Sequence, residues 1–234
     1  MPRVSVVVPA RNEEEYIGAC LDAILAQKPP PDEVIVVNNG SKDRTAEIAQ
    51  AKGVRVIHEP RPGLHLARQA GLKAARYEVV ANTDADCIVL PGWIEAIKEA
   101  FEDPKVVETY GPLELFEAPW LDKILAKYFY PVFLWIMARL GQPNAAGGNH
   151  AVRRETALAV GGYDVRYGED LHLMMKLRKH GEIRYVPKQR VMTSGRRLKH
   201  GRWKLYAVHA KNIWRRIRGL PEDYGDDYYA DRER

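Results

Sequence analysis

Blocks of apolar residues with two different spacings alternate along the first half of the chain. Residues 4–8 form a continuous run rich in valine, which is typical of a strand buried on both faces. In residues 16–25 the apolar side chains recur at helical spacing, and Asn12 is the expected N-cap. The same alternation predicts strands over residues 33–38, 54–58 and 78–83, and helices over residues 43–52, 64–76 and from Pro91 onward.

This order of elements predicts an α/β fold with a mostly parallel sheet. A strand, a helix and a second parallel strand form a right-handed crossover, so helices are expected on both faces of the sheet. Ligands of such sheets bind beyond the carboxyl ends of the strands. Four loops are therefore expected to meet at one site, namely residues 9–13, 38–43, 60–65 and 84–87.

The second half of the chain has a less regular pattern. Residues 106–116 predict one long strand, and residues 119–140 predict an apolar, aromatic helical stretch. Further helices are predicted over residues 154–160, 169–180 and 203–218, with a strand over residues 183–186. We therefore expect a more helical region after the regular sheet.

Composition narrows the class of protein. Hydrophobic residues make up 46% and charged residues 29% of the 234 residues, as in an ordinary globular protein. Cys20 and Cys87 are isolated, which fits neither a disulfide framework nor a zinc site and favours a reducing, cytoplasmic compartment. We expect no signal peptide, because the chain opens directly into a strand pattern, and no spanning helix, because no apolar run is long enough.

Positive charge is concentrated towards the end of the chain. The net charge is +5, and residues 187–221 carry 11 lysines or arginines and no acidic residue. Such a block can meet phosphate, anionic lipid or nucleic acid, or it can be a solvated helical face. A basic nucleic-acid-binding protein is thus an alternative, but no helix-turn-helix, zinc or aromatic-sheet motif supports it, and no nucleic-acid partner is expected.

The sequence Asp84-Ala85-Asp86 directly follows the fourth predicted strand. Two carboxylates at such a position can reach one hard cation, because Mg²⁺ and Mn²⁺ prefer oxygen ligands. A polar loop with one aspartate capping the next helix is the alternative. The loop of residues 9–13 has no glycine, and no Walker motif is present, which argues against a dinucleotide-binding fold and a P-loop ATPase.

A series of motifs in the same order resembles the family 2 glycosyltransferases with the GT-A fold. They are residues 4–13, 38–43 and 63–71, Asp84-Ala85-Asp86, Gly147-Gly148-Asn149 with Arg153, residues 161–164 with Gly168-Glu169-Asp170, and residues 193–197. The resemblance covers most of the chain. It implies a Rossmann-like, mostly parallel sheet flanked by helices, with a C-terminal acceptor-side helical region.

The resemblance also implies a domain organisation. A single domain is expected over residues 1–219, with a nucleotide-sugar-binding half over residues 1–105 and an acceptor-binding half over residues 106–219. Residues 220–234 are expected to form an acidic, mobile tail.

The resemblance assigns roles to particular residues. It implies an inverting transfer from a UDP- or GDP-sugar, with Mn²⁺ or Mg²⁺ held by Asp84 and Asp86 and with Asp170 as the base that activates an acceptor hydroxyl or phosphate. The expected donor contacts are Pro9, Ala10, Arg11, Glu13, Asn39, Ser41, Arg68, Asp84 and Ala85. The expected acceptor or phosphate contacts are Gly148, Asn149, Glu169, Arg196 and Arg197.

One motif departs from the family pattern. Asn38 and Asn39 stand where the family usually has two aspartates, and the second position contacts the base by resemblance. An amide both donates and accepts hydrogen bonds, whereas an ionised carboxylate only accepts. The choice between UDP and GDP therefore stays open. His200 is either a third metal ligand or a plain surface histidine.

Residues 120–140 suggest where the acceptor comes from. The segment combines apolar and aromatic residues with Lys123, Lys127 and Arg139, as interfacial helices combine an apolar aromatic face with basic flanks. This predicts a peripheral enzyme on the cytoplasmic face of the membrane, acting on a lipid-linked or other glycan acceptor in cell-envelope polysaccharide or glycolipid synthesis. A core or dimer-contact helix is the alternative. For the reaction itself, a metal-dependent nucleotidyltransferase and an inactive nucleotide-sugar-binding protein stay open.

Overall fold

In the computed structural model of the protein, the described residues are 1–144, 146–200, 207, 208, 210–212, 214, 215 and 218. The side chains of Arg197, Lys199 and His200 are outside the described part. The predictions for Arg197, for His200 as a ligand and for the tail over residues 220–234 therefore lie outside the described residues. Half of the residues predicted as a helix over 203–218 also lie outside them, and the described residues 207, 208, 210–212, 214 and 215 are helical.

The described residues include ten strands and eight bounded α-helices, besides the helical residues 207, 208, 210–212, 214 and 215. The strands are β1 (Val4–Ala10), β2 (Glu33–Asn38), β3 (Arg55–His58), β4 (Val79–Asn82), β5 (Cys87–Val89), β6 (Val106–Tyr110), β7 (Leu113–Phe116), β8 (His150–Arg153), β9 (Glu182–Tyr185) and β10 (Val191–Ser194). The α-helices are α1 (Ile17–Leu25), α2 (Thr45–Ala51), α3 (Leu64–Ala74), α4 (Trp93–Ala100), α5 (Trp120–Ile124), α6 (Tyr130–Arg139), α7 (Arg154–Ala159) and α8 (Glu169–Leu177). A π-helical turn, Leu125–Phe129, joins α5 to α6, and a 3₁₀ turn, Gly195–His200, follows β10.

Seven strands form the central sheet in the order β3-β2-β1-β4-β8-β6-β9. Strand β1 pairs in parallel with β2 and β4, and β6 pairs in parallel with β9. Strand β8 runs antiparallel to both neighbours, β4 and β6. The predicted mostly parallel α/β sheet is therefore confirmed. Because β8 is reversed, the loop before it, not after it, lies at the edge where the parallel strands end.

Helices cover both faces of the sheet because successive strand residues point to opposite sides. Val6 and Val8 of β1 face one hydrophobic cluster, which contains residues of α1 and α4. Val7 faces the other cluster, which contains residues of α3 and α8. All three valines are fully buried, and each such burial stabilises the fold by roughly 1.5–3 kcal/mol. This explains the unbroken valine run.

The prediction of one strand over residues 106–116 is wrong, because the segment forms β6 and β7 in different sheets. Strand β7 belongs to a three-stranded sheet of order β5-β10-β7. The division falls at Gly111 and Pro112. A Cβ atom at Gly111 would lie 1.8 Å from the Gln189 carbonyl oxygen, so the chain turns there past a backbone that leaves no room for a side chain.

The start of α1 also differs from the prediction. Asn12 does not cap this helix: the helix begins at Ile17, and Tyr16 at the N-cap makes no side-chain capping bond. Instead, Asn12 has a positive φ of 54° and its Oδ1 accepts a hydrogen bond from Lys42 N at 2.8 Å. Asparagine adopts this left-handed conformation more readily than most residues. Asn12 thus shapes a loop and not a helix end.

The predicted helical stretch over residues 119–140 is present as α5, the π-helical turn and α6, which we call the helical arm (residues 120–139). Its buried side, including Leu134, packs with Tyr110 of β6 and with Leu171 and Met174 of α8. Its other side leaves large apolar side chains exposed. No helix among the described residues has both the length and the apolar character needed to cross a membrane.

Candidate active site

The loops that follow β1 and β2 are joined by hydrogen bonds. Asn12 N donates to Ser41 Oγ at 3.1 Å, and Glu13 N donates to Thr45 Oγ1 at 2.8 Å. In the reverse direction, Lys42 N donates to Asn12 Oδ1. The predicted donor-contact residues of the two loops are therefore held side by side at the carboxyl edge of the sheet. Pro9 and Ala10 precede them as buried residues of β1.

Asp43 completes this connection. Its Oδ1 accepts hydrogen bonds from the backbone and the hydroxyl of Thr45, and its Oδ2 accepts one from Glu14 N at 3.1 Å. Burial alone would raise the pKa of Asp43, but these hydrogen bonds outweigh it and hold the pKa below its usual value. The carboxylate therefore stays ionised and keeps both loops in place.

Asp84 and Asp86 flank the turn that follows β4. The Asp84 side chain is partly exposed, whereas Asp86 and the intervening Ala85 are buried. Ligand atoms of Asp84, Asp86 and Cys87 all lie within 4.8 Å of one another. Two carboxylates at this separation fit a hard divalent cation that takes its remaining ligands from water and phosphate.

Cys87 is a poor third ligand. Burial raises the pKa of its thiol well above the ordinary value, and the charges of Asp84 and Asp86 raise it further. A thiol binds metals as the thiolate. The chemistry of the group therefore favours oxygen coordination by the two aspartates, which agrees with the predicted preference for Mg²⁺ or Mn²⁺.

Arg68 connects Asp84 to helix α8. The residue is 2% exposed, and its guanidinium donates to Asp84 Oδ1 at 2.7 Å and to Glu169 Oε1 at 2.5 Å. Burial alone would lower the pKa of Arg68, but Asp84 and Glu169 raise it above its ordinary value. Arg68 is thus a permanent cation that joins α3, the β4 loop and α8.

The loop of Gly147 and Gly148 packs directly on this ion cluster. A Cβ atom at Gly147 would lie 2.0 Å from Arg68 Nη1, and one at Gly148 would lie 3.0 Å from Asp84 Oδ2. Only glycine lets the backbone come so close. The predicted acceptor-side residue Gly148 is therefore in the same place as the donor-side residues Arg68 and Asp84.

Arg196 reaches the site from the far end of the described chain. Its guanidinium contacts Glu13 Oε1, lies 3.2 Å from Asp86 Oδ2, and stacks over the Tyr16 ring at 4.9 Å. The segment is placed by Ser194 N, which donates to the Asp86 carbonyl at 3.1 Å. Each of the two aspartates is thus next to a buried or half-buried arginine, Asp84 next to Arg68 and Asp86 next to Arg196.

Glu169 and Asp170 begin α8, where helix N-termini favour acidic residues. Glu169 is buried against Arg68. Asp170 is half-buried, and its Oδ1 accepts a hydrogen bond from Leu171 N at 2.8 Å. Asp170 also raises the pKa of Arg68 electrostatically, so it lies close to the same cluster. Of the two acids, Asp170 is the more accessible.

Asn149 holds the loop of Gly147 and Gly148 from inside the protein. It is fully buried; Nδ2 donates to the carbonyls of Pro112 and Gln189, and Oδ1 accepts from Trp93 Nε1 and Gln189 Nε2. A direct contact between this amide and an acceptor would have to break one of these four bonds. The observed arrangement makes Asn149 a support for the adjacent Gly148.

Sequence reasoning missed a buried polar chain beneath the site. Asn82 Nδ2 donates to Tyr163 Oη at 3.0 Å, which lies 3.1 Å from His150 Nε2; His150 Nδ1 lies 2.9 Å from Glu108 Oε1. Burial raises the pKa of Glu108, although the contact with His150 opposes this. Gln69 Oε1 accepts from Tyr163 N, so the chain anchors the segment that leads to α8. Nothing in the sequence pairs His150 with Glu108, because the two residues lie on different strands of the sheet.

The mixed sheet flanked by helices, with an acidic pair at its carboxyl edge, has the GT-A type of fold. The chain belongs to the family described as glycosyl transferase family 2, whose sequence model matches residues 5–161. The predicted family and fold are therefore confirmed.

Individual relatives agree with this assignment. The chain is 39% identical over 107 residues to the uncharacterized glycosyltransferase EpsJ of Bacillus subtilis, a match that covers 44% of this chain and 31% of EpsJ. The chain thus spans about a third of the length of that relative.

Solved structures share the fold. The mannosyltransferase PcManGT from Pyrobaculum calidifontis, in complex with GDP-Man and Mn²⁺, has a TM-score of 0.73 and 23% identity, covering 97% of this chain and 69% of that one. Glucosyl-3-phosphoglycerate synthase from Mycobacterium tuberculosis, in complex with Mn²⁺, UDP and glucosyl-3-phosphoglycerate, has a TM-score of 0.64 and 22% identity, covering 95% and 82% of the two chains.

Proposed function

We propose that this protein transfers a sugar, with inversion, from a UDP- or GDP-sugar to an acceptor hydroxyl or phosphate. The observation that carries the proposal is the pair Asp84 and Asp86 at the end of β4, set among the β1 and β2 loops and the start of α8. The two solved structures, which hold GDP-Man or UDP together with Mn²⁺, support a nucleotide donor and a divalent metal for this chain as well.

Asp84 and Asp86 would hold Mn²⁺ or Mg²⁺. A divalent cation there supplies Lewis-acid stabilisation of the negative charge that grows on a nucleoside diphosphate as it leaves. Arg196 is placed to assist, because a guanidinium can donate two parallel hydrogen bonds to a phosphate. Arg68 keeps Asp84 oriented through the hydrogen bond at 2.7 Å.

Asp170 is the proposed base. Its partly exposed carboxylate would accept the proton of the acceptor hydroxyl while the oxygen attacks the anomeric carbon. One displacement by one base inverts the configuration at that carbon. Glu169 is held by Arg68 at 2.5 Å and is less suited to this role.

Calorimetric binding of UDP, GDP, UDP-glucose and GDP-mannose, with and without Mn²⁺, tests the donor site. We expect Mn²⁺-dependent binding of at least one nucleotide, and a loss of more than tenfold in Asp86→Asn. Asp22→Asn is the matched control, because Asp22 is an exposed carboxylate paired with Lys52 on the protein surface. Absence of Mn²⁺-dependent nucleotide binding would contradict the proposal.

Measuring the rate of sugar transfer distinguishes the role of the proposed base, Asp170, from that of the nucleotide-binding residues. Asp170→Asn is expected to keep Mn²⁺-dependent nucleotide binding and to lose sugar transfer by about 10²-fold or more, since general-base catalysis contributes on this order. Release of pyrophosphate in place of UDP or GDP would instead indicate a nucleotidyltransferase.

We also propose that the helical arm binds an anionic lipid surface and that the acceptor is lipid-linked. Trp120 is 72% exposed, Phe129 64% and Trp135 50%, which is far more apolar exposure than a solvated helix requires. Lys123, Lys127 and Arg139 add positive charge to the same arm. Aromatic and basic side chains together favour an anionic interface.

The position of the arm supports a lipid-linked acceptor. Leu134 of the arm packs with Leu171, the residue that follows Asp170. A lipid surface contacting the arm would therefore lie beside the helix that carries the proposed base. This arrangement gives a lipid-anchored sugar acceptor a short route to Asp170.

Sedimentation with vesicles tests the arm. Binding to phosphatidylglycerol-containing vesicles is expected to exceed binding to phosphatidylcholine vesicles and to fall as salt rises. Replacing Trp120, Phe129 and Trp135 together by serine should abolish it, whereas Leu25→Ser, an exposed apolar control on α1, should not. The membrane proposal would be contradicted if the unaltered protein did not bind vesicles and instead formed a concentration-dependent dimer that the triple variant does not form.

A further inference from the structure

A single side chain holds the backbone that follows β3. Asn39 is 5% exposed, and its Nδ2 donates to the Glu59 carbonyl at 2.9 Å and to the Arg61 carbonyl at 2.7 Å. Its Oδ1 accepts a hydrogen bond from Gly63 N at 2.9 Å. One side-chain amide at the end of β2 thus hydrogen-bonds to three backbone groups of residues 59–63. We call residues 59–63 the base-side segment.

These bonds use almost all of the hydrogen-bonding capacity of the amide. A primary amide has two N–H donors, and both are directed at carbonyls of the base-side segment. Asn39 has no hydrogen left for a bound nucleotide, and its oxygen keeps a single lone pair. A carboxylate at this position would face two carbonyl oxygens, so the observed segment conformation requires the amide.

The base-side segment is restrained in other ways as well. Glu59 accepts two hydrogen bonds from the Arg61 guanidinium, at 2.9 and 3.0 Å, and Arg61 N donates to the same carboxylate. Pro60 and Pro62 fix two backbone φ angles. The segment therefore has a defined shape, and its position after β3, beside the β2 loop, is at the carboxyl edge of the sheet.

We propose that Asn39 is a positioning residue that selects the donor's base indirectly. It fixes the base-side segment, and the segment, not the Asn39 amide, contacts and discriminates the nucleoside base. This differs from the direct base contact implied by the family resemblance. The inference rests on the proposed function, since it takes the nucleotide to lie across the β1, β2 and β3 loops.

The test measures Kd for UDP, GDP, CDP and ADP in the presence of Mn²⁺, on the full chain. In Asn39→Ala the segment loses its ties, so the spread among the four Kd values should narrow by about tenfold. Asn39→Asp also lacks the two N–H donors to the Glu59 and Arg61 carbonyls, so it should narrow the spread among the four Kd values as well.

Asn38→Asp is the matched control. It makes the same chemical change one residue earlier, but the Asn38 side chain contacts His58 and Ser41 N and not the base-side segment. It should leave the ratios among the four Kd values unchanged. Arg61→Ala, an exposed substitution that does not threaten folding, should alter the ratios because it releases Glu59.

Two results would overturn the inference. In one, both Asn39 variants bind all four nucleoside diphosphates more weakly by the same factor, and Arg61→Ala leaves the ratios among the four Kd values unchanged. The other is hydrogen exchange of the Gly63 amide that is no faster in Asn39→Ala than in the unaltered protein. If the unaltered protein binds none of the four with Mn²⁺, the proposed function itself fails, which is a distinguishable outcome.

Discussion

At the scale of single residues, the site is organised around charges that are already neutralised within the protein. The motif Asp84-Ala85-Asp86 was visible in the sequence, and so was the family match at Arg68. The pairing of Arg68 with Glu169 could not be predicted from the sequence. The two residues are far apart in the chain and meet only because α3 and α8 pack on the same face of the sheet. Residue types could be predicted, but not their partners.

Replacing the buried Arg68 should lower the stability of the protein. Arg68→Met leaves Asp84 and the buried Glu169 without their shared guanidinium, and we expect a loss of about 3–5 kcal/mol in the free energy of unfolding. Urea denaturation measures it. Lys52→Met, which removes an exposed pair with Asp22, should cost less than about 1 kcal/mol. Equal costs for the two variants would contradict the burial argument.

Acidification should destabilise the protein in part through Glu33. Burial alone would raise the pKa of Glu33, but hydrogen bonds from Arg76 N, Ser5 and Arg55 lower it below its ordinary 4.5. A carboxyl group with a lowered pKa in the folded state contributes stability that is present above pH 4.5 and is lost as the pH falls through the folded-state pKa. Urea unfolding at pH 7 and pH 3 should show a smaller difference for Glu33→Gln than for the unaltered protein.

At the scale of elements, the strands and helices of the regular alternation could be predicted, including the four-residue strands β3 and β4, whereas several short strands outside it could not. Strands β1 and β2 and helix α3 have enough residues for their spacing to be recognised. Strands β5, β8 and β10 have three or four residues each and gave no usable pattern. The division of residues 106–116 into β6 and β7 depends on the close approach of Gly111 to Gln189, which no local pattern contains.

Helix α3 illustrates how packing can override helix propensity. Gly71 lies within α3, and a Cβ atom there would be 2.3 Å from Val7 Cγ1 of β1. Alanine is the better helix former by about 1 kcal/mol, but overpacking a buried contact costs about 1–3 kcal/mol. We expect Gly71→Ala to lower the melting temperature. An increase would show that α3 can move away from the sheet without cost.

At the scale of the whole molecule, the small sheet β5-β10-β7 connects distant parts of the chain to the site. Strand β5 follows Asp86 directly, and its partner β10 leads directly into Arg196. The general location of the site followed from the topology of parallel strands. The arrival of Arg196 beside Asp86 depends on pairing between strands about a hundred residues apart, which the sequence pattern does not specify.

Ligand binding should stabilise the molecule as a whole. With Mn²⁺ present and the preferred nucleotide at about 100 times its Kd, the free energy of unfolding should rise by about 2.7 kcal/mol. For a chain of this size we expect an increase in melting temperature of roughly 5–10 °C, measured by differential scanning fluorimetry. At the same concentrations, Asp86→Asn should show at most about half of this increase, and an equal increase in that variant would argue against a metal at this site.

The arginines beside Asp84 and Asp86 have a thermodynamic consequence for the order of binding. A divalent ion that arrives alone meets two carboxylates whose charge is already balanced by guanidinium groups, so it gains little. A diphosphate that arrives with it offers Arg196 a new partner and frees Asp86 for the metal. Metal and nucleotide should therefore enhance each other's affinity, and by linkage the enhancement must be equal in the two directions. The protein would then bind its cation mainly as a complex with the nucleotide donor, and it would bind either one alone only weakly.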